Sequence, residues 1–351
     1  MRLGIDLRCL AEGEQGGIAV YAQSLIPRLA VHFPGLRGFV SGAAVQTPVV
    51  PFDVAHLGWP NKLVNASLVA LQHPHLDAVM GADVVFAPTP KYVALSPRTP
   101  LVLTVHDLSF VDHPEYFTRR QHFWHHWLRI RKLVNRADRI IAVSEHTAAD
   151  VRNVVPSAAD RIRVIHSGAD HGPSTRPAPY PGLPPTYLVA FAPPEPRKNA
   201  VNIVAAQSLI FHQTGVPLVM VGSGSAGMDG IIALPHLSAE ARWRVLGNAQ
   251  VLIYPSLYEG FGFPPLEAMR LGVPVVASHV TSLPEVLGSA VLYVDPWDPQ
   301  DIARGMHAVV TDETLHADLH SRGLQQAAHY QWDTCATLTA AVIHDAYAHR
   351  H

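Results

Sequence analysis

Short apolar runs alternate along this chain with longer stretches whose apolar positions recur every three or four residues, the pattern of parallel strands crossed by helices. Two sheets are predicted. The first draws on residues 2–7, 39–40, 84–87, 101–105, 139–143 and 163–165, and the second on 187–191, 218–221, 251–254, 275–277 and 290–294. Ile18, Tyr21, Leu25 and Leu29 form the apolar stripe of a helix that starts after Gly16-Gly17. Pro264 and Pro265 suit the first turn of another helix, and Gly272 fits its terminator. Asp298-Pro299 reads as an N-cap followed by a first-position proline. Pro173, Pro177, Pro179, Pro181, Pro184 and Pro185 disfavour helix and mark a linker between the sheets. The expected organisation is two domains, 1–172 and 173–330, followed by a terminal helix over 331–351.

Composition agrees with this division. A chain of 351 residues exceeds what one hydrophobic core normally serves, and 48% hydrophobic residues can fill two. The formal net charge of −2 gives no general attraction to nucleic acid, so no nucleic-acid partner is expected. Cys9 and Cys335 stand far apart without ligand-like spacing, which points away from a disulfide framework or a zinc site and towards a reducing, cytoplasmic compartment. No apolar run approaches the roughly 18 residues of a membrane span, and the N-terminus lacks a signal-peptide pattern, so any membrane contact is expected to be peripheral.

The densest chemistry lies between Ser256 and Gly272, where Glu259 falls in a loop after the run 251–254 and Glu267 in the first turns of the next helix. Gly260, Phe261, Gly262 and Phe263 can bring backbone N–H groups up to a ligand, because glycine permits close approach and positive φ. In an open α/β sheet the crevice beyond the strand ends is where ligands bind. Arg197 and Lys198, in Glu195-Pro196-Arg197-Lys198-Asn199, follow the first strand of the second sheet and suit a diphosphate, although a plain surface pair balancing Glu195 has the same composition. Gly16 and Gly17 open a helix whose free amides favour a phosphate, or else form a simple turn. The G-x-G-x-x-G fingerprint is absent, so nothing here supports a nicotinamide cofactor. His106 closes the run 101–105, where a histidine taken alone is more often structural. His122, His125 and His126 have zinc-compatible spacing but no third ligand type nearby, and a solvated helix face is preferred. Residues 117–132 interleave aromatics with cations, which leaves two readings open: a lipid-facing or lipid-linked-acceptor surface, and an ordinary helix with its aromatics in the core.

Glu259 and Glu267 reproduce the E-x7-E signature, and the chain resembles the retaining glycosyltransferases of family four. The resemblance also rests on Gly16-Gly17, Thr104-Val105-His106-Asp107, Val143-Ser144-Glu145, the segment 164–168, Glu195 to Asn199, the segments 274–278 and 282–285, and Trp332. It implies the α/β GT-B architecture, two Rossmann-like doubly wound domains facing a deep interdomain cleft, with the chain after Trp332 crossing back to the N-terminal domain. It implies Glu259 at the donor sugar hydroxyls, Glu267 at the ribose hydroxyls, Lys198 at the diphosphate and His106 beside the donor sugar. It further implies front-face attack through an oxocarbenium-like transition state, without metal or other cofactor. The same resemblance leads to an expected transfer from a nucleotide-sugar donor, GDP-mannose first and UDP- or dTDP-sugars next, to a saccharide or lipid-linked acceptor in surface polysaccharide assembly. Readings of another class are a sugar-nucleotide epimerase and a non-catalytic sugar-nucleotide-binding partner subunit. Two departures from the family pattern stand out. Ala192 replaces a common glycine, and the stretch from Gly222-Ser223-Gly224 to Leu246 is expected to lack a helix and most of a strand that frame the nucleobase.

Overall fold

The computed structural model describes residues 1–11, 16–42, 50–222 and 227–350. The chain divides into two compact units. One comprises Met1–Asp112, Thr118–Gly168 and Gln331–His351, and the other His113–Phe117 and Ala169–Tyr330.

The first unit is built on seven parallel strands: β1 (Leu3–Asp6), β2 (Arg37–Val40), β3 (Val54–His56), β4 (Val84–Ala87), β5 (Leu101–Val105), β6 (Arg139–Ala142) and β7 (Ile162–Val164). Their order is β3-β2-β1-β4-β5-β6-β7. The central strands are buried end to end, as both faces of a parallel sheet must be, and Leu103 of β5 sits in register with Ile140 of β6. Helix Gly17–His32 buries Tyr21, Leu25 and Leu29 of the stripe its sequence predicts and leaves Ile18 half-buried. Helix Trp332–Arg350 lies in this unit, with Trp332 fully buried and edge-on to Tyr21. A glycine is required at 168, because a Cβ there would stand 2.3 Å from the Trp332 backbone nitrogen. Two ion pairs tie the far end of that helix down, Arg139 to Asp345 at 2.5 Å and Arg350 to Asp138 at 2.6 Å.

The second unit has six parallel strands: β8 (Leu188–Phe191), β9 (Leu218–Val221), β10 (Ile231–Leu234), β11 (Val251–Tyr254), β12 (Val275–Ser278) and β13 (Leu292–Val294). Their order is β10-β9-β8-β11-β12-β13. Each sheet therefore gains one edge strand that the sequence pattern does not reveal. In β3 every residue is half-buried or exposed, and in β10 every residue is half-buried, so neither carries the strong apolar signal of a central strand. The expectation that the segment before Leu246 lacks a helix and most of a strand is corrected. It holds β10 and the helix Ala239–Gly247, capped by the Ser238 hydroxyl on the Ala241 amide. Ser223 and Gly224 of that motif lie outside the described residues.

Candidate active site

Strand β8 pairs with β9 on one side and β11 on the other, so the chain leaves this point in opposite directions and the loops after β8 and β11 diverge. Such a switch point is where an open α/β sheet leaves room for a ligand. The loop after β8 turns through a short 3-10 helix, Pro196–Lys198, into Asn199, which holds the left-handed conformation at φ 61°. Its side-chain amide donates to the carbonyls of Pro255 (2.9 Å) and Pro296 (2.6 Å), and the Leu257 amide donates to the Arg197 carbonyl (2.8 Å). The loops bearing the cations and Glu259 are thus fixed to one another.

Glu259 is 6% exposed. Its Oε1 accepts from Lys198 Nζ (2.6 Å) and from the Tyr254 hydroxyl (2.7 Å), and its Oε2 accepts from Arg197 (3.3 Å). Burial alone would push this carboxyl up, but Lys198 and Arg197 reverse the effect and hold it down at about 2. Burial pushes the Lys198 ammonium below its ordinary range against the attraction of Glu259, while burial and then Glu259 drive the Tyr254 phenol well above its own. The group is a carboxylate between two cations, with a neutral phenol fixing its orientation. Arg197 also pairs with Glu195 at 3.0 Å. The backbone of Glu259 is pinned as well, its amide donating to Thr281 Oγ1 (3.0 Å) and its carbonyl accepting from Ser282 Oγ (2.9 Å).

Glu267, 1% exposed, follows on the helix Phe263–Arg270. Its Oε1 accepts from His171 Nε2 (2.9 Å) and its Oε2 from Arg242. Burial pushes this carboxyl up too, and Arg242 with His171 brings it down to about 2. The Arg242 guanidinium lies 4.6 Å from the centre of the Phe191 ring, at the end of β8. Gly262 caps this helix at φ 95°, and an added Cβ would meet Leu283 at 2.7 Å. Phe261 and Phe263 pack edge-on to each other, with Phe261 also against Tyr330, so both rings belong to the core.

The remaining predicted residues lie in the first unit. His106 follows β5, and its Nε2 is 2.8 Å from the Pro88 carbonyl, so Nε2 carries the proton and donates. Burial lowers its pKa, against the pull of Pro88 and Asp107, and the ring is a neutral imidazole at pH 7 whose Nδ1 is an acceptor. Asp107 orients its own loop by accepting from the Ser109 amide (3.1 Å) and hydroxyl (2.6 Å). Gly16 caps the helix Gly17–His32 at φ 79° and is exposed with Gly17. Among the described residues no three His, Cys, Asp or Glu side chains converge as a metal ion would require.

Sequence reasoning missed Tyr254, His171 and Arg242. Tyr254 could have been found as the polar residue ending a buried strand. His171 and Arg242 had no signal, standing 96 and 25 residues from the glutamate they hold.

Against known proteins, residues 194–326 match the family Glycosyl transferases group 1 and residues 15–172 match Glycosyltransferase Family 4. The chain is 32% identical over 262 residues to O-antigen chain mannosyltransferase B of Escherichia coli, covering 68% of each. It is 29% identical over 265 residues to the serotype-specific mannosyltransferase WbdA of Escherichia coli, covering 68% of this chain and 32% of WbdA, so it spans about a third of that longer protein. Among solved structures, sucrose-phosphate synthase from Thermosynechococcus elongatus superposes with a TM-score of 0.75 at 18% identity, covering 99% of this chain and 100% of that one. Anabaena Alr3699/HepE in complex with UDP and glucose gives 0.72 at 18% identity, covering 98% and 100%. At that identity the likeness shows the fold, which is GT-B.

Proposed function

This chain belongs to glycosyltransferase family 4, of the group 1 glycosyl transferases, and from that premise we propose that it is a retaining mannosyltransferase using GDP-mannose. Its acceptor is a saccharide or lipid-linked saccharide in surface polysaccharide assembly on the cytoplasmic side. One relative named as an O-antigen chain mannosyltransferase and one named as a serotype-specific mannosyltransferase support the sugar, and the first supports the pathway class. The observation that carries the site is the buried carboxylate of Glu259 held between Lys198 and Arg197 at the switch point of the second sheet.

In this reading, Lys198 and Arg197 meet the diphosphate. Breaking the bond between the sugar anomeric carbon and the phosphate oxygen builds negative charge on the leaving nucleoside diphosphate, and fixed cations in a partly dry site stabilise that charge as it forms. They take the place of a divalent metal. Glu259 accepts a hydrogen bond from a donor sugar hydroxyl at the Oε2 site its protein partners leave open, and Tyr254 keeps it from turning away. The acceptor oxygen bonds to the anomeric carbon on the face the phosphate leaves, and the departing phosphate takes the acceptor proton. Configuration is retained, and no side chain need act as nucleophile. This separates the site from a glycosidase with its paired acid and base carboxylates. Glu267, anchored by Arg242 and His171, accepts from the ribose hydroxyls.

The test is thermal stabilisation by GDP-, UDP-, dTDP- and ADP-sugars, followed by proton NMR of the product from the donor that binds. Ligand at 100 times its Kd stabilises by about 2.7 kcal/mol, which a melting curve resolves. GDP-mannose stabilisation with an α-mannosyl product formed in EDTA supports every element. Stabilisation by UDP-glucose instead, the ligand named with the Anabaena structure, replaces the donor and keeps the mechanism. An inverted product overturns the mechanism.

A further inference from the structure

In the first unit, the helix Arg119–Leu128 gathers three large aromatics outside any core. Phe123 is 56%, Trp124 50% and Trp127 43% exposed, and no residue of this helix is fully buried. The Phe123 ring lies edge-on to Trp124 at 5.7 Å and tilted to Trp127 at 6.0 Å. At 3.6 residues per turn, taking Phe123 as zero, Trp127 falls at about 40° and Trp124 at about 100°. Arg119 and Arg120 fall at about −40° and 60°, interleaved with the rings on the same side. His125 and Leu128 fall at about 200° and 140°, and this opposite side meets the protein: the His125 ring packs 4.5 Å from Phe110, and Leu128 packs on the core. The helix is therefore seated by its back and presents Arg119, Arg120, Phe123, Trp124 and Trp127 outward.

Its frame is rigid. The Thr118 and Gln121 side chains close a capping box at the start, and Arg129, left-handed at φ 48°, breaks the helix before Ile130–Arg136, whose Ile130, Leu133 and Val134 are buried. Arg129, Arg131 and Lys132 add exposed cations beyond the break. Between Glu115 and Asp138 the sequence has no acidic residue. A local concentration of positive charge on a chain of net charge −2, combined with exposed tryptophans, is the composition that rests on an anionic bilayer. The aromatic rings enter the headgroup level while the arginines reach phosphates.

We infer that this helix docks the enzyme peripherally on an anionic phospholipid surface. The core-facing reading of the same segment places its aromatics inside, which their exposure contradicts. Nucleic acid fits the arginines, but the overall charge gives no wider basic footprint. The inference does not depend on the donor or on which sugar is transferred.

The test is flotation of the full chain with vesicles of phosphatidylcholine alone and with about one-third phosphatidylglycerol. Its variants are Trp124→Ser/Trp127→Ser and Arg119→Gln/Arg120→Gln. The expected result is binding to anionic vesicles that weakens as salt rises. Each double variant should weaken it by roughly tenfold or more, with an unchanged melting temperature because the altered groups are exposed. No flotation, equal binding to neutral vesicles, or wild-type binding by both variants overturns the proposal. So does sedimentation velocity showing that the tryptophan variant dissolves a dimer of this chain, or binding that an oligonucleotide abolishes and anionic vesicles do not compete for.

Discussion

Lys198 Nζ lies 2.6 Å from Glu259 Oε1, with the Tyr254 hydroxyl 3.2 Å from the same ammonium, so a lysine, a glutamate and a tyrosine close a buried triangle. Removing the ammonium leaves a buried carboxylate with Arg197 as its remaining cation. Losing one side of a buried pair costs about 3–5 kcal/mol. Lys198→Ala should therefore lose donor binding and also stability, which melting curves and donor titration separate. Lys198→Met/Glu259→Gln should recover much of the stability and none of the transfer activity.

Acid should act through the two glutamates. Both carboxyls have a folded-state pKa of about 2, below the ordinary carboxylate value near 4.5. The unfolded chain thus binds more protons between those limits, and the stabilisation present above about pH 5 is lost as pH falls towards 2. Each contributes on the order of 3 kcal/mol as an upper bound. Urea unfolding at pH 7 and pH 3 should show the loss, and Glu267→Gln should flatten the profile between them.

The sequence made the central strands, the Glu259–Glu267 pair and the cations after β8 legible, because each lies in a local pattern: an apolar run, a glycine-aromatic loop, a Pro-Arg-Lys turn. β3 and β10 were illegible because an edge strand buries too little to be apolar throughout. The partners of Glu267 were illegible for a different reason. His171 comes from just before the proline-rich linker and Arg242 from a helix in the segment expected to lack one, and only the closed fold brings them to one carboxylate.

Gly168→Ala should loosen the terminal helix. The new methyl would stand 2.3 Å from the Trp332 backbone nitrogen, which cannot swing aside as a side-chain tip can. A cost of roughly 1–3 kcal/mol follows, and hydrogen exchange should rise first across residues 332–350. Gly16→Ala meets no atom within 4 Å and should cost only the strain of its positive φ.

For His106, the neutral ring with Nε2–H on Pro88 sets the sign of the pH dependence. Because burial lowers its pKa, protonation, which removes the Nδ1 acceptor, should inhibit only below the ordinary histidine range. The acid limb of kcat/KM should lie under pH 6.5 in the wild type and vanish in His106→Asn, whose residual rate should be flat there. A limb that persists in the variant assigns the titration to another group.

Arg242 and His171 share one carboxylate but are not equivalent. Arg242 donates to Glu267 while its guanidinium carbon lies 4.6 Å from the centre of the Phe191 ring, so its planar fork is held on two sides. Lysine offers a point charge without the plane, and Arg242→Lys should not restore what Arg242→Met loses. His171→Gln keeps a donor towards Oε1 and should be mild. In a double-mutant cycle, Arg242→Met and Glu267→Gln should couple by about 1–3 kcal/mol in stability. If Arg242 also serves the donor by holding Glu267 towards the ribose, KM for the donor should rise in Arg242→Met with kcat little changed. That split distinguishes a positioning residue from one that only supports the fold, since loss of fold alone lowers the active fraction and leaves KM where it was.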